Sequence, residues 1–356
     1  MATKKQLPAD AFTVGIIYAK PLEMTAITVM VDEFYLPVTL QTGDTNEYVL
    51  GRIGDQNVAI AGPARGKQGK VSVASVVARI PQTFRNIKVG LLVGIGGGVP
   101  YPEKEDVRLG DVVIGAPEYT PAIIQYDLGK QYTDGTEIKR TLNKPPDLLL
   151  RVVNNVYDEY QRAMEGEDFF AVHLKRFERF PRLRNLYRRP TAPDRLFRAD
   201  FEHEDSASSC ESHDPAYEIQ RHKRDEGTIN MHFGTILSGD MVMKSGKIRD
   251  ELSGRYHRAL CFEMEAAGVV DDFPCLVVRG ICDYADSHKN KAWQEFAAAT
   301  AACFAREVLV SMAKRALDGL EAAGKGANTV DIKISAEQNS GIMMGQNTGN
   351  ISFKSR

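Results

Sequence analysis

Three acids sit where a core would be expected. Glu263 and Glu265 flank Met264 inside Leu260-Cys261-Phe262-Glu263-Met264-Glu265-Ala266-Ala267, and Asp283 ends the run Val277-Val278-Arg279-Gly280-Ile281-Cys282. A carboxylate in an apolar setting is costly unless it is paired or binds something, so such residues mark a candidate site. Two carboxyl groups can divide general-acid and nucleophile-activating work, the logic of glycosidic bond cleavage. Asp283 follows a buried strand, and open α/β sheets hold ligands beyond the carboxyl ends of their strands. Desolvation there can keep a carboxyl partly protonated and able to act as an acid. A plainer reading stands beside each: Glu263 and Glu265 as first-turn acids that suit a helix dipole, and Asp283 as a turn cap.

The elements that must position these acids read as an alternating α/β chain. Residues 12–19 and 89–93 are nearly continuous apolar runs, the pattern of strands buried on both faces. A helix is expected from Pro21 to about Val31, with Pro21 in its first turn. Residues 48–53 and 57–60 form a hairpin around Gly54-Asp55, and a helix covers 70–80. Strands follow at 111–114, 231–237 and 274–278; residues 250–252 are helical, and 259–262 enter a helix carrying the two glutamates. Trp293, Phe296, Ala297, Thr300, Phe304 and Val308 recur at helical spacing and make one core-facing stripe. The fold expected is α/β, with a central mixed sheet flanked by helices.

Residues 145–228 differ in character. After a helix at 146–164, residues 175–198 are dense in arginine and broken by Pro181, Pro190 and Pro193. This reads as an insertion with partial structure whose arginines form a solvated face or reach over a neighbouring site. The chain divides into an arm at 1–11, a domain at 12–320 containing that insertion, and a tail at 321–356. The low-charge tail is a disordered segment or a β-stacking one. A net charge of -2 argues against a nucleic-acid-binding surface. No apolar run is long enough for a membrane span or signal. Five scattered cysteines without a CxxC pair suit a reduced, cytoplasmic protein.

Taken in order, Val14-Gly15-Ile16-Ile17, Gly94-Ile95-Gly96-Gly97-Gly98, Leu109-Gly110-Asp111-Val112-Val113, Ser238-Gly239-Asp240, Phe262-Glu263-Met264-Glu265-Ala266 and Arg279-Gly280-Ile281-Cys282-Asp283 resemble the nucleoside phosphorylase and nucleosidase superfamily. The likeness covers about residues 12–120 and 229–312. Residues 189–197 and 280–291 look more closely like the nucleosidase-type domain of fungal immune-receptor-like proteins. The resemblance implies a sheet closed into a distorted barrel, at least a dimer, and a purine nucleoside as the small-molecule partner. It implies that Asp283 protonates the purine N7 and that Glu265 binds the ribose 2′- and 3′-hydroxyls. Met264 would pack under the sugar, with Glu263 secondary, and Ser238 and Asp240 would support the purine-side loop. Val242 stands where related nucleosidases often carry a base-stacking aromatic, a departure from the pattern.

The superfamily divides by whether water or phosphate attacks the anomeric carbon. Phosphate needs a cationic, donor-rich pocket. By the resemblance, Glu23 and Leu92 occupy the two arginine positions of bacterial-type phosphorylases, and Ile95 replaces a serine. Glu23 matches the water-activating glutamate of the methylthioadenosine and adenosylhomocysteine nucleosidases, so hydrolysis of adenosine- or inosine-type nucleosides to base and ribose is expected. Phosphorolysis, with Arg65 and Lys67 as an anion site, is the alternative. A nucleoside-sensing signalling module with a self-assembling tail is another. Gly94 to Gly98, with Gly97 as a contact, reads as a ribose or purine loop, because its spacing is not GxGxxG and Pro100 follows. His203, Cys210 and His213 form a weak zinc pattern; no metal or organic cofactor is expected.

Overall fold

A computed structural model describes residues 4–322, apart from 133–134, 139–141, 165–166, 204–214, 226, 290, 319 and 321. Strand β1 (Val14–Ile17) and helix α1 (Pro21–Val29) open the fold. Then come β2 (Glu33–Phe34), β3 (Val49–Ile53), β4 (Gln56–Ala61), α2 (Lys70–Val77) and α3 (Ile80–Thr83). The expected 70–80 helix breaks because Pro81 has no N–H to donate and its ring would crowd the carbonyl of Val77, the residue at which α2 stops. Next are β5 (Val89–Gly98), β6 (Val112–Ile114), β7 (Ile123–Gln125) and the separate hairpin of β8 (Gly129–Tyr132) with β9 (Gly135–Ile138).

Helices α4 (Asp147–Arg162), α5 (Phe169–Leu174) and α6 (Leu183–Leu186) lie in the 145–228 insertion, α6 within its arginine-rich stretch. The chain returns through β10 (Met231–Phe233), β11 (Ile236–Ser238), α7 (Gly246–Arg255), β12 (Cys261–Glu263), β13 (Cys275–Asp283) and α8 (Gln294–Ser311). The single strand expected at 231–237 is therefore two, and they serve different parts of the sheet.

Eleven strands make one mixed sheet, and β5 is its hub. One edge of β5 pairs in parallel with β13 from Gly90 to Gly97. Its other edge is shared: Val89 to Leu92 pair with β1, whereas Gly97 and Gly98 pair antiparallel with β12. The sheet forks there, one branch running through β1, β4 and β3 to β2, the other through β12 and β11 to β7. Among the described residues it does not close into the expected barrel, because those two branches and the β13–β6–β10 side each end on an unpaired edge.

The five residues Gly94 to Gly98 are strand, not the loop expected from sequence. A ten-residue strand with almost no side chains on its second half lets other elements press against its backbone. A Cβ on Gly94 would fall 2.6 Å from Glu23 Oε1, one on Gly97 2.8 Å from Asp283 Oδ1, and one on Gly98 2.8 Å from Ile281. The glutamate pair likewise does not open a helix. Phe262 and Glu263 end strand β12, and a 3-10 turn at Ala266–Gly268 follows. The helix-dipole reading of the two acids therefore falls away.

Helix α8 packs on β13 and β5 with Phe296, Ala297, Thr300, Phe304 and Val308 buried, as the helical stripe predicts. The arginine-rich segment is a solvated face only in part. Arg176 donates to the carbonyls of Val29 and Val31 at the end of α1, and Tyr187 Oη to that of Leu22. Arg189 lies over Trp293, Arg221 donates to Tyr284 Oη, and Arg224 to Asp111. These guanidiniums dock the insertion on the elements that carry the acids, while Arg179, Arg182, Arg184, Arg188 and Arg198 are exposed. No helix among the described residues is long and apolar enough to cross a membrane.

Candidate active site

Strands β1, β5, β12 and β13 converge so that four acids and one arginine meet around the glycine half of β5. Glu23, on the first turn of α1, is 2% exposed. Its Oε2 accepts the N–H groups of Ala19 and Lys20, both at 2.8 Å, and its Oε1 accepts that of Ile95 at 2.9 Å. A carboxylate has about four acceptor sites, so one on Oε1 is left, enough for one water. Ile95, expected only as a missing serine, supplies the backbone donor that aims Glu23 at β5.

Arg279 is fully buried in the middle of β13. It makes an ion pair with Glu263 and lies 3.5 Å from Glu265. Its Nη1 also faces Gly94 next to Glu23 Oε1. One guanidinium thus pairs with two carboxylates, with Glu23 close by as a third, leaving the cluster acidic. Glu263 is further held by the N–H groups of Glu265 and Ala266, which makes it the structural member of the pair. Among the described residues Glu265 accepts only a long bond, from Gly69 N at 3.3 Å, so it is the one with oxygens to offer. Burial, reinforced by Glu263 and Glu23 and only partly offset by Arg279 and Gly69, pushes its carboxyl up to about 7. Sequence reasoning placed Arg279 in a motif without a task. The available signal was a lone charge inside an otherwise apolar strand, which demands carboxylate partners.

Asp283 ends β13, 7% exposed, beside Gly97. Glu23 bonds Ile95, two residues back along β5, so the two acids address points roughly 7 Å apart on that strand. Asp283 Oδ1 accepts Ala285 N at 2.9 Å and lies 3.1 Å from Lys289 Nζ. Ala285 has φ of 52°, a left-handed conformation that costs an alanine about 1–2 kcal/mol and that orients its N–H to the carboxylate. Functional sites concentrate such strain.

The remaining expected residues divide. Ser238 ends β11 fully buried, and its Oγ accepts Ala267 N at 3.0 Å, bracing the turn after Glu265. Met264 is half-buried between the two glutamates. Asp240 turns outward to Lys70, 3.3 Å away, and its N–H is held by Asp127 at the rim. Val242 is 52% exposed and lies outside the buried cluster. Its neighbour Met243 packs instead with Tyr126, Phe262 and Ala285, and Tyr126 meets Phe262 edge to face. Leu92 is core, while Arg65 and Lys67 stand exposed on the loop between β4 and α2. Cys210 and His213 lie outside the described residues, as does the tail from 323 onward; among the described residues no His, Cys, Asp and Glu cluster suits a metal. Cys261, Cys275, Cys282 and Cys303 are buried free thiols.

A strand-end acid, an acid bound to the first loop and a buried glutamate beside an arginine stand together on one forked sheet. The family model described as the phosphorylase superfamily matches residues 13–314, and the chain belongs to that superfamily. A nucleotide-binding leucine-rich repeat (NLR)-like protein of Hyaloscypha variabilis is 36% identical over 320 residues, which cover 88% of this chain and 31% of the relative. The chain thus spans under a third of that relative. An ATP nucleosidase, Cap17, of Escherichia coli is 34% identical over 80 residues, 21% of this chain and 16% of the relative. Among solved structures, the 5′-methylthioadenosine/S-adenosylhomocysteine nucleosidase of Neisseria meningitidis aligns over 84% of this chain and 99% of its own, with a TM-score of 0.53 at 17% identity. Futalosine hydrolase of Helicobacter pylori gives 0.51 at 20% identity, over 84% and 97%. Both share the fold.

Proposed function

We propose that the protein hydrolyses the N-glycosidic bond of purine ribonucleosides, adenosine or inosine in type, releasing base and ribose. Cleavage builds positive charge on the ribose and negative charge on the departing base, so a site needs an acid, a sugar-binding carboxylate and an oriented nucleophile. In this reading Asp283 protonates the base at N7, Glu23 takes a proton from a water on its remaining acceptor site, and Glu265 holds the ribose hydroxyls. Glu263 and Arg279 hold Glu265 in place, and Met264 packs under the sugar.

The observation that carries the choice of water over phosphate is the charge balance around Arg279. Its guanidinium is paired with Glu263 and lies 3.5 Å from Glu265, so its charge is already opposed by two carboxylates and the surroundings disfavour a phosphate dianion. The exposed positions of Arg65 and Lys67 add no buried anion site. Incubation with adenosine, inosine, guanosine, methylthioadenosine and ATP in phosphate-free buffer tests this. Free base and free ribose are expected from at least one purine substrate. A strict requirement for phosphate, with ribose 1-phosphate as product, overturns it. ATP belongs in the panel because the E. coli relative is named for it.

A signalling module is the second reading, supported by the NLR-like relative, most of whose length lies outside the match. Nucleoside binding without base release would favour it. The self-assembly expected of residues 330–353 concerns a segment outside the described residues.

A further inference from the structure

The two oxygens of Asp283 are not equivalent. Oδ1 is occupied twice, by Ala285 N at 2.9 Å and by the Lys289 ammonium at 3.1 Å. Among the described residues Oδ2 receives only the thiol of Cys282, at 3.2 Å. Burial pushes that thiol's ionisation well above its ordinary range, and the negative charge of Asp283 adds to the effect; it remains a weak S–H donor. Lys289 does more than touch the acid. Its ammonium also donates to the carbonyl of Met243 at 3.2 Å, tying the segment after β13 to the segment after β11. Only 23% of its side chain is exposed, so the pair is largely sheltered from screening by solvent.

We propose that Lys289 is a positioning residue for protonation of the leaving base, holding Oδ1 so that the proton is carried and delivered by Oδ2 of Asp283. The inference rests on the hydrolytic reading above and adds a residue and an atom to it. As the C–N bond breaks, its electron pair passes to the base and the Oδ2 proton goes to a ring nitrogen. Asp283 is left as a carboxylate, and the ammonium beside Oδ1 stabilises the charge as it forms. Charge-assisted contacts of this kind act most strongly where water is excluded. The bond to Met243 keeps the ammonium from swinging away once the substrate is cleaved.

The test compares two leaving groups in the full chain. Hypoxanthine leaves inosine with a proton, whereas 4-nitrophenolate leaves 4-nitrophenyl riboside without one. Lys289→Met is expected to lower kcat on inosine about 10- to 100-fold, a part of the roughly 10²- to 10⁴-fold that acid catalysis supplies in full, while nitrophenyl riboside turnover stays near wild type and certifies the fold. Lys289→Arg, which keeps the charge, is expected to recover most of the inosine rate. Equal losses on both substrates overturn the proposal, as does a Lys289→Arg enzyme no faster than Lys289→Met. If wild type releases no base from any nucleoside, or Asp283→Asn is as fast as wild type, the parent reading fails. An inert Asp283→Asn beside an unimpaired Lys289→Met overturns this inference alone.

Discussion

Replacing Glu265 with glutamine should make the protein more stable and less active, and the stability gain should depend on pH. In the folded protein burial, with Glu263 and Glu23 close by, raises this carboxyl from an ordinary 4.5 to about 7. Between those values the unfolded chain has released the proton while the folded one still holds it. Rising pH therefore favours unfolding through that window. The native state is unpenalised below the lower value and carries the whole penalty once pH passes the upper one. A rise from 4.5 to about 7 corresponds to about 3 kcal/mol. The glutamine amide would not titrate, and its oxygen could still accept the Gly69 N–H. Urea denaturation at about pH 5 and about pH 8.5 should show a gap in favour of the variant that widens by up to about 3 kcal/mol at the higher pH. A gap that is unchanged between the two, or a variant whose advantage shrinks at the higher pH, refutes the reasoning. Base release should fall in the same variant, chiefly through weaker sugar binding and so a higher KM.

Further outcomes follow from the same geometry. Asp283→Asn and Glu23→Gln should each reduce purine release by about 10²-fold or more, with circular dichroism unchanged. Gly94→Ala should destabilise the fold by about 1–3 kcal/mol, measured by chemical denaturation, because its Cβ would fall 2.6 Å from a carboxylate oxygen that the backbone holds in place. His232 is pulled down by burial, but hydrogen bonds to Asp111 and Glu105 prevail and raise it to about 9 from 6.5. Its contribution should be fully present below about pH 6.5 and lost as pH rises through about 9. His232→Gln should accordingly flatten the stability profile across that interval.

Much of the frame was legible because it rests on patterns that repeat along the chain. Continuous apolar runs announced β1, the first half of β5 and β13, and the stripe from Trp293 to Val308 announced α8. Where the reading missed, a contact distant in sequence had overruled a local pattern. Residues 94 to 98 read as a loop by composition, yet they are the strand against which Glu23, Cys261 and Asp283 press. Phe262-Glu263-Met264 reads as a helix entrance, yet pairing with β5 and β11 makes it a strand end. Arg176 and Arg189 read as part of a solvated face because their partners, a carbonyl at Val29 and the ring of Trp293, lie far away along the chain.

The chain alone determined which acids stand in apolar surroundings, because an unpaired buried carboxylate is too costly to be there without a reason. That isolated Glu263, Glu265 and Asp283, whereas it was the family resemblance that set Glu23, Leu92 and Ile95 at the positions where phosphorylases carry their phosphate-binding residues. Only the tertiary structure decided how these acids share charge. Arg279 lies between Glu263, Glu265 and Glu23, and Lys289 holds one oxygen of Asp283. Electrostatic partnership depends on distance in space and on burial, and residues 23, 94, 265, 279 and 289 acquire both only when the strands of the forked sheet are assembled.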